Sequence, residues 1–361
     1  MVPMSEMRPV HRKGESGDTP GIPPLAASDT NDTATPVSED HKVPEGSPRN
    51  ARDGSERTVG FDLKGALNAL SDIVNNRPLP LREFDQIYMK VGDMVVYTEF
   101  LARLFDGQKL VFVGDGDAIG LSLAHLVSEG VLHYGPSKIT VLDFDERMVN
   151  SINHFAADYD LTDSIEAVLY NVIDALPANL LRTYDGFHIN PPWGQHNDGE
   201  SVCVFLERGI DLIRQGGSGV VVIADDKSLT WANRVLERTQ RAALERGLVV
   251  QQMIPALHSY HLDDAPDLRS CSIIFRKITE GTYANEELAL ERLEDFYGRM
   301  QTLRVQYVRE IPGLQRGRAE ETTYSLELLT KRHQLELLEA PDTRPRKSTR
   351  KKSEDKSEKQ K

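Results

Sequence analysis

KLVFVGDGDAIGLSLAHLVSE, Lys109 to Glu129, passes from a β-rich apolar run through a Gly-Asp-Gly-Asp turn into a helical pattern. The run predicts a buried strand, and apolar residues at three- and four-residue spacing predict a helix from Ala118 to Glu129. Glycines suit such a junction because the chain turns sharply there and a ligand must come close to the backbone. Alone, a Gly-rich turn is weak evidence of a ligand. Its place after the first strand of a strand-helix-strand unit gives it weight.

The same alternation continues outward. Further β-rich runs lie at Lys138 to Phe144, Ile165 to Asn171, Tyr184 to Asn190, Ser218 to Asp225, Leu248 to Tyr260 and Leu268 to Lys277. Helical patterns lie at Glu146 to Tyr159, Glu200 to Arg214 and Thr230 to Arg246. Such alternation implies a parallel sheet covered on both faces. The last two runs are separated only by LDDAPD, so they should pair antiparallel. The fold expected is α/β and Rossmann-like, of the class I methyltransferase type: a seven-stranded, mostly parallel sheet ending in an antiparallel hairpin, flanked by disordered termini.

Composition sets the rest of the organisation. Residues 1–58 are crowded with Pro, Gly, Ser, Thr, Asp and Glu and are expected to form a disordered arm, because they cannot bury enough apolar surface to offset ordering. Residues 59–108 read as a helical lead-in or lid, including Arg82 to Leu104, and residues 109–280 as the transferase domain. Residues 281–340 are expected to be a helical segment on the strength of the amphipathic stretch Asn285 to Val308. The basic tail, 341–361, carries nine Lys/Arg and three Asp/Glu from Arg344 onward, about +6, which leaves about −19 on the rest of a −13 chain. An acidic body draws cationic small molecules and tracks nucleic acid poorly, so any nucleic-acid contact falls to the tail. No apolar stretch is long enough to span a membrane and no signal peptide is visible, so a cytoplasmic protein is expected; a homodimer is compatible with these features. Cys203 and Cys271 lie in apolar runs without partners at metal spacing, and no metal is expected.

Candidate site residues fall at strand ends. Gly114, Asp115 and Gly116 form the first turn, with Asp117 closing it. Asp143 stands where a carboxylate accepts hydrogen bonds from both hydroxyls of a ribose; the bland alternative is a helix cap, a role Asp145 fits better. Asn171 and Asp174 stand where class I enzymes contact the adenine amino group, with a turn or cap role as the rival. Asn190, Pro191, Pro192 and Trp193 end the fourth strand. The two prolines fix an extended backbone and remove two donors, leaving the Asn190 side chain and carbonyls for a substrate amine and Trp193 as a flat wall. His258, Tyr260, His261, Asp263 and Asp264 surround the final hairpin, as a cationic pocket or as an ordinary polar turn.

FDQIYMKVGDMVVYTEFLARL, GDGDAIGLSLAHL, VLDFDERMVNSI, NPPW and HSYHLDDAPDLRS, in this order over Phe84 to Lys277, resemble the branched-chain polyamine synthases. The resemblance implies transfer of aminopropyl groups from decarboxylated S-adenosylmethionine to an internal amine of a polyamine. It also implies that Asp117, last in the family's Gly-Asp-Asp-Asp motif, is the catalytic acid. The chain departs from the pattern at Gly116, which stands for an Asp, at Asn190, where archaeal members have Asp, and in lacking a recognisable winged-helix-like region at its N-terminus.

Three functions remain open from the residues. The first is aminopropyl transfer, with Gly114, Asp115, Gly116, Asp143, Asn171 and Asp174 at the donor and Asp117, Asn190 and Trp193 at the reacting amine. The second is methyl transfer from intact S-adenosylmethionine to an amino group, as the Asn-Pro-Pro-aromatic turn suggests. The third is non-catalytic binding of nucleoside or polyamine. Acids in the first turn, with no Lys or Arg between it and Lys138, favour the decarboxylated donor, whose tail carries only an ammonium.

Overall fold

The computed structural model describes residues 62–263, 265–280, 285–293, 296–298, 305–311 and 324–329. The expected disordered arm and basic tail lie outside the described residues. Two helices, α1 (Leu63–Asn76) and α2 (Val91–Leu104), flank a 3-10 turn at Arg82–Phe84. Then follow β1 (Lys109–Val113), α3 (Ile119–Ser128), β2 (Lys138–Asp143), α4 (Glu146–Asp158), β3 (Ile165–Leu169) and β4 (Tyr184–Ile189). The body is completed by α5 (Glu200–Leu212), β5 (Ile213–Ala224), α6 (Thr230–Glu245), β6 (Leu248–Ser259) and β7 (Arg269–Lys277). A 3-10 turn, Leu290–Leu293, and a separate antiparallel pair, β8 (Val305–Glu310) with β9 (Tyr324–Leu328), come last.

The seven strands lie in the order β3-β2-β1-β4-β5-β7-β6, parallel except where β7 pairs antiparallel with both β5 and β6. Central strands are buried on both faces, which is why β1 is almost uniformly apolar. Leu110, Phe112, Ile139 and Val141 face a core built with α1 to α4, while Val111, Val113, Leu142, Phe187 and Ile189 face one built with α5 and α6. Strand order reverses between β1 and β4, and at such a switch point the carboxyl ends of the strands leave a crevice. Cys203 and Cys271 are buried and unpaired in the second core. Among the described residues, no helix is long and apolar enough to cross a membrane.

Three stretches differ from the sequence reading. Strand β5 begins at Ile213 rather than Ser218, with Gly216 at φ +81° inside it. The stretch Arg82 to Leu104 is not one helix. Asp85 turns left-handed, Met89 bridges Tyr260, and α2 starts only at Val91. The backbone there pairs with a distant strand end: Lys90 N–H donates to the Ser259 carbonyl at 3.0 Å and His261 N–H to the Tyr88 carbonyl at 2.9 Å. Non-local pairing overrides helical pattern. The described residues of the stretch Asn285 to Val308 likewise form no amphipathic helix. Asn285 exchanges two hydrogen bonds with the backbone of Leu176, Leu288 N–H donates to the Ile173 carbonyl, and the β-branched Val305 and Val308 enter a small core with Leu81, Phe84 and Phe144.

Candidate active site

A cavity of about 750 Å³ opens at the switch point, between the ends of β1, β2 and β4. Gly114 enters the turn at φ +75°, a conformation that only glycine takes without strain, and its N–H is held by the Leu142 carbonyl at 2.7 Å. Gly114 and Gly116 therefore present bare backbone to the cavity they line.

The two acids of this turn point in different directions. Asp115 accepts the Ile119 and Gly120 N–H groups at 2.9 and 2.8 Å, so its carboxylate caps α3 and does not line the cavity. Burial holds its carboxyl well above the usual range, against the pull of those amides. The expected side-chain role of Asp115 at a donor gives way to this structural one. Asp117 does face the cavity. Its Oδ1 accepts the Met89 N–H at 2.6 Å and its Oδ2 the Asn190 amide at 3.1 Å. Two residues 73 positions apart, chosen from separate motifs, thus meet in one hydrogen bond. Burial pushes the Asp117 carboxyl up, with the nearby Arg77 charge as the main counterweight.

Asp143 lines the cavity at the end of β2, and its two oxygens accept the backbone N–H groups of Asp115 and Asp145 at 3.0 and 2.9 Å. Burial first, and the charge of Asp145 second, raise its carboxyl to about 6. The cap of α4 is Asp145, which accepts the Arg147 N–H at 3.1 Å. A carboxylate has about four acceptor positions, so two backbone bonds leave Asp143 capacity for ribose hydroxyls.

Asn171 and Asp174 are committed elsewhere, contrary to the adenine contact expected of them. Asn171 donates to the Gln306 carbonyl at 2.6 Å and accepts from the Tyr297 hydroxyl at 2.7 Å, while Asp174 accepts from Gln306 Nε2 and the Tyr307 hydroxyl. The chain after β7 folds back over the end of β3 and takes these groups for itself. Tyr297 also stacks on Phe144, centroids 4.6 Å apart and 16° from parallel, so that an aromatic pair borders the cavity beside Asp143.

Pro191, Pro192 and Trp193 line the wall beyond Asn190. Tyr260 completes it, set edge-on to Trp193 at 5.2 Å and bonded through its hydroxyl to Ser270. The rest of the hairpin set is not in the wall. His258 points into the core, bonded to Ser272 and edge-on to Tyr97, and burial lowers its imidazole to about 4, leaving it neutral. His261 and Asp263 are exposed, and Asp264 lies outside the described residues. The turn sends Leu262, Ala265 and Leu268 to the cavity and its polar groups to solvent, as any surface hairpin does.

The lead-in supplies what the sequence did not single out. Arg77, just past α1, donates to the Asp117 carbonyl at 2.9 Å and lies 3.9 Å over the ring of Tyr88, and Arg82 lines the mouth with Glu83 and Asp85. The lack of cations along the turn itself is therefore not a lack of cations in space. Residues brought in by non-local pairing leave no local signal, although Tyr88 and Met89 fall within the quoted FDQIYMK segment.

A doubly covered sheet of this order, an acid at the end of β2 and a Gly-rich turn at the switch point define a class I S-adenosylmethionine-dependent transferase fold. The chain belongs to the branched-chain polyamine synthase A family, whose C-terminal-domain model matches residues 65–326. Over 208 residues it is 29% identical to N(4)-bis(aminopropyl)spermidine synthase of Thermococcus kodakarensis, covering 56% of this chain and 55% of that one. It spans about half the length of the polyamine synthases among its curated relatives. A second relative, an rRNA N(6)-adenosine-methyltransferase of Caenorhabditis elegans, is 23% identical over 174 residues, 48% of this chain and 78% of that one. The fold is shared with the branched-chain polyamine synthase of Thermus thermophilus, solved with N4-aminopropylspermidine and 5'-methylthioadenosine: TM-score 0.53, 20% identity, 62% of this chain and 67% of that one.

Proposed function

We propose that this chain is an aminopropyltransferase that moves aminopropyl groups from decarboxylated S-adenosylmethionine to an amine of a polyamine, acting in the cytoplasm. The observation that carries the reading is Asp117: a buried carboxylate, bonded to Asn190, at the edge of a cavity walled by Trp193 and Tyr260. Family membership and the ligands named for the Thermus thermophilus protein support it. Asp143 fits a nucleoside, since it lines the cavity beside bare Gly114 backbone and a carboxylate has more acceptor positions than its backbone bonds take up.

The donor supplies a carbon made electrophilic by its sulfonium. Attack by an amine lone pair forms a C–N bond, breaks the C–S bond, returns that electron pair to sulfur, and releases 5'-methylthioadenosine. The amine must first lose a proton, because polyamines are cationic at neutral pH. Asp117 attracts the cation and accepts the proton; Asn190 fixes the carboxylate's orientation; the Trp193–Tyr260 wall excludes water and lies along the acceptor's methylene chain. Arg77 is engaged by the Asp117 carbonyl and the Tyr88 face, and the acids Glu83 and Asp85 line the cavity besides Asp117 and Asp143, next to Arg82.

Calorimetric titration with both donors tests this. Decarboxylated S-adenosylmethionine is expected to bind the more tightly, with transfer to spermidine seen by mass spectrometry. Tight binding of the intact donor alone would overturn the reading in favour of methyl transfer, which the NPPW turn otherwise suits.

The donor site should also titrate. Ribose hydroxyls stabilise the ionised form of Asp143, so protons compete with the nucleoside. With its carboxyl at about 6, the affinity for 5'-methylthioadenosine is expected to fall as pH drops below that value. Asp143→Asn should weaken binding by about 1.5–3 kcal/mol near pH 8, the range for hydrogen bonds to charged groups, and show no such pH dependence. An unchanged affinity in the variant would remove Asp143 from the donor site.

A further inference from the structure

Arg77 lies outside every motif that marks the family in this sequence, yet its side chain is almost wholly enclosed, next to the group on which transfer depends. Its Nη1 donates to the backbone carbonyl of Asp117 at 2.9 Å and stands 4.0 Å from that residue's Oδ1. The guanidinium is not free to swing: its Cζ lies over the Tyr88 ring, 3.9 Å from the centroid, and the Tyr88 hydroxyl is tied to the Pro78 carbonyl at 2.7 Å. Met94 Sδ receives a further contact from the same nitrogen. Met89 N–H, one residue beyond Tyr88, holds the same carboxylate oxygen that Arg77 approaches. The lead-in therefore grips Asp117 at its carbonyl and its carboxylate together.

We propose that Arg77 is the positioning residue of the transfer reaction, fixing the Gly116–Asp117 turn through the carbonyl and keeping the Asp117 carboxylate ionised by its charge. This rests on the proposed role of Asp117 as the group that takes the amine's proton. A carboxylate removed from water tends to hold its proton, and a fixed cation about 4 Å away opposes that tendency. The distance matters in the other sense too. At 4.0 Å, without a direct bond to the carboxylate, Arg77 leaves Oδ2 to Asn190 and to an incoming amine. A bidentate arginine would have consumed the base.

Among the described residues, the charged and titratable groups that act on Asp117 are few. Arg77 comes from the end of α1, Tyr88 from the lead-in, Tyr97 from α2, Asp115 from the same turn, and Tyr260 and the exposed His261 from the end of β6. Of these, only Arg77 is a permanent cation. Removing it leaves burial, which favours protonation of Asp117, opposed by the Met89 and Asn190 hydrogen bonds and by His261.

The test uses the full chain. The Asp117 carboxyl is followed by infrared titration as the difference between parent and Asp117→Asn, a readout that needs no turnover, and is repeated with Arg77→Gln in both. Its titration is expected to move up by about one pH unit or more. The low-pH limb of kcat should move with it, while KM for the polyamine falls or stays constant because a repelling cation is gone. A merely structural arginine would lower kcat and leave both titrations in place, and that result overturns the proposal. If Arg77→Gln fails to bind 5'-methylthioadenosine, Arg77→Lys decides. Lysine keeps the charge but not the reach to the carbonyl, so kcat several-fold lower with a parental acid limb is expected, and parental kcat overturns the proposal. Absence of turnover in the parent counts against aminopropyl transfer and leaves the infrared result to judge Arg77.

Discussion

Asp117→Asn is expected to lower single-turnover product formation by a factor of about 10²–10⁴, the usual cost of losing a general base, while 5'-methylthioadenosine binds as it does to the parent. The geometry permits a clean substitution. An amide oxygen at the position of Oδ1 still accepts the Met89 N–H, and Asn190 can turn its own amide to accept from the new one, so the shape of the turn survives. What disappears is the negative charge that attracts a cationic amine and the lone pair that takes its proton. Donor affinity should persist because Asp143 sits on a different strand and is held by different amides.

Asp115→Asn is the control within the same turn. Its carboxylate caps α3 and is shut off from the cavity, so that variant should lose about 0.5–2 kcal/mol of stability, as helix-cap losses do, and keep most of its rate. Product is read by mass spectrometry with donor saturating. A parental rate for Asp117→Asn would move the base elsewhere. A dead Asp115→Asn beside an active Asp117→Asn would invert the roles of the two acids.

The contrast between these neighbours shows what the sequence carries about the fold and the site. Strands β1 to β4, β6 and β7 fall within about two residues of the apolar runs; for the central parallel strands β1 and β4 the cause is burial on both faces, which writes continuous apolar stretches and leaves the turns between them in plain view. The pairing of Asp117 with Asn190 follows from topology alone: both follow strands adjacent in the sheet, β1 and β4, at their carboxyl ends. Which of two acids in a four-residue turn faces inward is not periodic information. It depends on Ala118 adopting a left-handed backbone, φ +58°, which aims the Asp115 carboxylate back at the amides of α3. The partners of Asn171 and Asp174 leave no local signal for another reason. Tyr297, Gln306 and Tyr307 come from more than 120 residues away, in a segment whose amphipathic pattern suggests a helix but in which Tyr297 lies in a turn and Gln306 and Tyr307 lie on β8. His258 illustrates the same limit on the opposite edge, since a bulge in β6 between Ile254 and His258 sets which face it occupies.

Asp145→Ala is expected to destabilise the protein by about 3–5 kcal/mol, the range for leaving one member of a buried ion pair unpartnered. Asp145 and Arg147 are both nearly inaccessible, and two guanidinium nitrogens meet the two carboxylate oxygens at 2.9 and 2.6 Å. The carboxylate also accepts the Arg147 N–H as the cap of α4 and the Gln86 amide from the lead-in at 3.3 Å. The Asp145 backbone bridges Val308 of β8, and the Arg147 guanidinium lies 5.1 Å from the centre of the Tyr324 ring on β9. One acid thus joins the transferase sheet, the lead-in and the C-terminal hairpin. Alanine leaves Arg147 charged, buried and without its counter-ion, and the local stability of all three should fall together. Asp145→Asn keeps the cap through its single amide oxygen but neither the charge nor the acceptor for Gln86, and it should still cost less than alanine. Asp145→Ala combined with Arg147→Met removes both charges and should recover part of the loss, since the desolvation cost disappears with the second ion. Chemical denaturation of the four proteins measures this directly. A loss below about 1 kcal/mol in Asp145→Ala would mean that water reaches Arg147 and that the hairpin is not held through this pair.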